Sequence, residues 1–155
     1  MTREQFDTLC HRASLALNLA DPHALGRGHT VTLDGVHIEL HHREPSAHFL
    51  LLAEIALFPE AQRAAVHEHL LTLQLMTTDH PNLRFGFHAM RKTTLLCLTA
   101  TPPHQGVAPE DWLAQLVRDT AGQVLDWRRD LGASNDLSLD KDHRAALLQS
   151  AAVRA

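Results

Sequence analysis

Apolar residues recur at helical spacing from Thr2 to Ala20, where Phe6, Leu9, Cys10, Ala13, Ala16, Leu17 and Ala20 form one stripe, widened by Leu15 and Leu19. Thr2 followed three residues later by Gln5 fits a capping box, and Asp21-Pro22 is the expected stop. Beyond a loop from Leu25 to Gly28 the period changes to two. Thr30 to Leu33 and Val36 to His41 flank Asp34-Gly35, a dipeptide that favours the positive φ values of a tight hairpin turn. Val36, Ile38 and Leu40 then face one way, buried, while His37, Glu39 and His41 face water.

The turn Arg43-Glu44-Pro45-Ser46 leads into a long apolar run, Ala47 to Phe58, closed by Pro59. Its hairpin-like neighbours and the Phe58-Pro59 ending predict a third, central strand. Pro59 to Met76 returns to helical character, with apolar residues on more than one face, so this helix needs a second packing partner. Asp79 to Asn82 reads as a turn. Leu83 to His88 and Thr93 to Thr101 alternate as two further strands, joined at Arg91-Lys92 and ended by Pro102-Pro103. Pro109 to Asp130 is the last helix, with Leu113, Leu116, Val117, Val124 and Trp127 along one stripe. Glu110 and Asp111 suit its N-terminus, Arg128 and Arg129 its C-terminus, and Gly132 is the expected stop. Helix, three strands, helix, two strands, helix is an order without single alternation. It predicts an α+β fold, an antiparallel sheet with helices packed against it, in one domain over 1–131. Residues 132–155, polar and Asp-rich and then Ala-rich, are expected to form a flexible or weakly helical tail.

Composition narrows the function. With 45% apolar and 21% charged residues the chain reads as a soluble globule, and no apolar run approaches a membrane span. The charged start, MTREQFDTLCHR, is unlike a signal peptide. A formal charge of −4 with scattered basic residues argues against nucleic acid. Cys10 and Cys97 fit no ligand or redox spacing and read as buried apolar residues in a reducing cytoplasm.

Thirteen histidines raise the question of a metal. His67 and His69 are two apart and diverge on a helix, so HEHLL is not the zinc-hydrolase HExxH. His37, Glu39 and His41 share a strand face, but successive members stand roughly 7 Å apart, too far for one ion. No serine lies in a GxSxG setting, and Gly26-Arg27-Gly28 precedes a strand where a phosphate loop would precede a helix. The expectation is a binding protein with no catalytic residues, no metal and no cofactor.

The order of elements, with the pieces DGVHIEL, Leu57-Phe58-Pro59, Leu70-Leu71, NLRFGFHAMRKTTLLCLTATPP and EDWLAQLVRDTAGQVLDWRRDL, resembles the class I chaperones of type III secretion, the CesT-like family, over residues 2 to 131. Gln74 departs from the asparagine often found after the paired leucines, and the histidine richness and the tail are also unusual. The resemblance implies a cytoplasmic bacterial homodimer built around the second helix, associated with virulence. It would hold the extended N-terminal segment of a secreted effector, soluble and competent for secretion, with neither membrane insertion nor nucleic acid. Leu70, Leu73, Phe85 and Phe87 are the expected dimer seam. Leu15, Leu19, Leu33, Ile38, Leu40 and Leu50 are the expected effector-binding surface, where an extended client adds main-chain hydrogen bonds and inserts alternate side chains. The competing reading is a regulatory adaptor of similar fold outside secretion.

Overall fold

The structure, a computed structural model, describes residues 1–76, 82–103, 106 and 108–133. Its elements follow the expected order: α1 (Arg3–Ala16), β1 (Val31–Leu33), β2 (Val36–His42), β3 (Phe49–Ala56), α2 (Glu60–Met76), β4 (Leu83–His88), β5 (Thr93–Ala100) and α3 (Pro109–Ala133). Most of the expected turn at Asp79 to Asn82, and the tail beyond the last residues of α3, lie outside the described residues.

Local chemistry sets the boundaries. At the start of α1 the Thr2 hydroxyl accepts the Gln5 N–H at 3.2 Å and the Gln5 side chain accepts the Thr2 N–H at 2.8 Å, closing the capping box. The helix stops well before Asp21-Pro22. Asn18 takes a left-handed φ of 54°, its N–H donates to Leu15 O, and the Leu19 N–H donates back to Ser14 O, a Schellman motif with asparagine in the glycine's place. Asp34 and Gly35 both have positive φ, 50° and 77°, as the β1–β2 hairpin requires. The Glu44–Pro45 peptide in the β2–β3 turn is cis.

The five strands form one antiparallel sheet in the order β1-β2-β3-β5-β4. The register lines up two kinds of row. Ile38, Ala53, Leu96 and Phe85 lie side by side on one face, and Glu39, Leu52, Cys97 and Arg84 on the other. The first face is the core. Val36, Ile38, Leu40, Phe49, Leu51 and Ile55 are buried there beneath Phe6, Leu9 and Ala13 of α1 and Leu113, Val117, Val124 and Trp127 of α3. Aromatic contacts bridge the layers: Phe6 to Phe49 at 5.7 Å, Phe49 to Trp112 at 6.1 Å, and Phe85 to Trp127 at 4.6 Å. Each large side chain hidden this way stabilises the fold by about 1.5–3 kcal/mol.

Arg128 secures the far end of that sandwich. Its guanidinium donates to Gly35 O at 2.8 Å, to Glu54 O at 2.9 Å and to Ile55 O, beside the β3 bulge between Glu54 and Ala56. The helix continues past Gly132, so Arg128 is no terminal-turn cation. It serves as a clamp on the Glu54 and Ile55 carbonyls at the bulge and on the Gly35 carbonyl of the β1–β2 turn. The second helix, α2, sits by the β4 edge. Val66, Leu70 and Leu73 join the core, the Gln74 side chain accepts the Phe85 N–H at 2.8 Å, and the His67 and Phe87 rings meet at 5.0 Å.

Candidate interaction surfaces

The expected dimer seam divides. Leu70 and Leu73 are buried inside the subunit, and Phe85 is half-buried against Trp127, because the 66/70/73 stripe of α2 turns inward. Leu70 and Leu73 are therefore core side chains of the single subunit. Phe87 alone of the four stands exposed. The unsatisfied apolar surface is the further face of α2 for which the sequence required a second partner, although none of its residues was among the four expected at the seam: Leu71 is 61% exposed, Leu75 78% and Met76 50%. Leu71 follows His67 by one turn, and His67 touches Phe87, so helix and strand residues adjoin in one patch. The signal was present in the sequence as the i, i+4 pair Leu71/Leu75, offset from the core stripe.

The six residues expected to meet a client divide likewise. Leu15 is exposed on α1, and Leu19, Leu33 and Leu50 are half-buried. Ile38 and Leu40 are fully buried beneath the helices and offer nothing to a partner, since the register puts them on the core face. Leu50 belongs to the opposite face. The set is thus not one surface but an α1 end and a sheet face. Between α1 and the start of α3 lies an open groove of about 350 Å³, lined by Glu4, Gln5, Thr8, Leu9, Arg12, Pro109 and Glu110, with Arg12 bridging to Glu110 at 3.4 Å.

On the second sheet face Glu39 departs from expectation. It is buried where a wet position was predicted, because three groups close around its carboxylate. Thr30 Oγ1 donates at 2.6 Å, Arg91 Nη1 donates at 2.6 Å from the β4–β5 turn, and His41 Nε2 donates at 3.1 Å. Burial pushes the Glu39 pKa up, but the hydrogen bonds from Thr30, Arg91 and His41 and the charge of Arg91 outweigh it and hold the carboxyl at about 2. His37 pairs with Glu54 at 3.4 Å one row away. Leu50, Leu52 and Cys97 on this face are half-buried, and Leu95 is buried, yet all four lie outside the core cluster.

Among the described residues no three His, Cys, Asp or Glu side chains are placed to hold one metal ion, and no helix is long and apolar enough to cross a membrane. Burial, with Asp7 beside it, pushes the Cys10 thiol up to about 12, and burial raises Cys97 as well, so neither is an activated nucleophile.

No family model and no curated protein sequence matches the chain. Among solved structures, a chain of the HopA1–SchA chaperone–effector complex superposes with a TM-score of 0.50 at 17% identity, over 82% of this chain and 92% of that one. The chain shares the fold of that chain. The three helices and five-stranded antiparallel sheet of the described residues are those expected from the sequence. A chain of the ExsC–ExsE complex is also similar, with a TM-score of 0.48 and 16% identity over 81% of this chain and 89% of that one.

Proposed function

We propose that the protein is a cytoplasmic, non-enzymatic homodimeric chaperone that binds the extended N-terminal segment of a type III secreted effector and keeps it soluble and competent for secretion, without a cofactor. The observation that carries this reading is the exposed apolar stripe Leu71, Leu75 and Met76 beside Phe87, on a fold shared with a chain of a chaperone–effector complex. A contiguous apolar patch of this kind on a folded subunit marks an interaction site. A two-fold axis at α2 would pair the stripe with its own copy, since an isologous interface uses one patch twice.

The client-facing part of the proposal rests on Leu15, Leu19, Leu33 and Leu50, which remain accessible after the core is formed. An extended segment that wraps from the α1 end around the sheet edge to the opposite face would pair its main chain at that edge and seat side chains on apolar surface at either side. The β4 edge is partly closed by Gln74, so β1, three residues long, is the favoured edge for strand addition. Holding aggregation-prone residues against folded surface needs no nucleotide.

The test is purification from the native host with identification of the co-purifying protein, together with light scattering. A dimer carrying a secreted protein through its N-terminal segment is the expected result. A monomer with nothing bound would sink the reading, and a folded, non-secreted partner would move the protein to the adaptor class.

A further inference from the structure

The sheet face turned away from α1 and α3 carries Leu50, Leu52, Leu95 and Cys97 in adjoining register rows, and no described helix seals it. One side chain crosses it. Arg91 leaves the β4–β5 turn and ends on Glu39 of β2, lining the same notch as Leu52 and Leu95. That notch has room for about 20 Å³, a single water, so as it stands Arg91 keeps a side chain from seating between Leu52 and Leu95. The strap is attached through a turn and not through a strand. Arg91 is in a turn with its side chain about half exposed, and Lys92 next to it already takes a positive φ of 54°, so the guanidinium can swing away without breaking strand pairing.

We propose that the Arg91–Glu39 ion pair is a latch over a client-docking strip, opened by an extended client segment of alternating apolar residues that brings its own arginine or lysine to Glu39. This rests on the chaperone reading above and names the chemistry of one client subsite. The demand for a cation follows from burial. Once Arg91 leaves, the Glu39 carboxylate keeps only Thr30 and His41, and an enclosed carboxylate without its cation is strongly disfavoured. An apolar segment lacking a basic residue therefore displaces Arg91 at a loss, while one carrying it restores the pair and covers Leu52 and Leu95 as well. Glu54, held by His37 one row along, extends the same preference.

The test uses the full chain and labelled extended peptides of alternating valine and threonine with a central arginine, glutamine or glutamate. Wild type is expected to favour the arginine peptide. Arg91→Ala is expected to bind all three about tenfold more tightly, because none has to displace the internal competitor, with the preference for arginine kept. Arg91→Lys should behave as wild type, and Glu39→Gln should bind all three alike. Absence of charge preference in wild type, or no gain in Arg91→Ala, overturns the latch, and the wild-type comparison stands even where a variant fails to fold. Growth in particle mass of Arg91→Ala without peptide binding assigns the strip to a second copy and overturns it as well. A native client that co-purifies while the peptides show no charge preference removes the latch and leaves the chaperone reading intact. Loss of both removes both.

Discussion

The two faces of the sheet are built from the same strands, one residue out of step, and behave as different materials. On one, Val36, Ile38, Leu40, Leu51 and Ile55 are sealed under two helices. On the other, Leu50, Leu52 and Leu95 share space with Glu39, Glu54, His37 and His41, tied by hydrogen bonds and ion pairs. Packing makes the first face rigid and committed. The second is held by contacts that a partner can exchange, which is what a binding surface requires.

The sharpest way to break this contrast is to shorten neighbouring leucines of β3. Leu51→Ala removes a fully buried side chain and is expected to cost about 2–5 kcal/mol in urea unfolding, whereas Leu52→Ala, outside the core, should cost under about 1 kcal/mol. Equal losses would mean the open face is a second core. Next in size is Glu39→Gln, expected to destabilise by about 1–3 kcal/mol through its charged hydrogen bonds. The accompanying pH effect has a definite sign. A carboxyl lowered to about 2 in the folded chain lends stability above its ordinary value of 4.5, and that stability fades as pH falls from 4.5 toward 2. Acid unfolding of wild type and Glu39→Gln should therefore converge at the low end of that range, and parallel curves would refute the assignment.

Smaller in stability but larger in assembly is Leu71→Asp. On the exposed stripe it should leave subunit stability within about 0.5 kcal/mol while halving the mass seen by light scattering. A dimer that survives moves the seam off α2. The least effect is expected from thiol alkylation at neutral pH. Cys10 should stay unmodified in the native chain and Cys97 react slowly, and rapid labelling of Cys10 would show that α1 opens from the core face.

Element types and order were legible because each local signal agreed with its neighbours: the Thr2/Gln5 box, the Asp34-Gly35 turn and the alternation in both hairpins. Where reading failed, a tertiary partner decided. Asn18 ends α1 by a backbone conformation that asparagine only sometimes adopts. Glu39 is buried because Arg91, 52 residues away in sequence, reaches it. Leu70 and Leu71 look alike in the chain, and only the placement of α2 against the β4 edge sends one inward and the other out. Ile38 and Leu40 were expected both to bury and to bind. Burial was readable from alternation, while access depended on helices folding over that same face.

Arg128 ties carbonyls lying 73 to 93 residues earlier in the chain, so the first hairpin is not fastened until α3 exists. During synthesis the emerging meander has only α1 over its greasy side, and a product cut short before Trp127 would lack the rest of the cover and the clamp. Addition of α3 is thus the event that lets this subunit close.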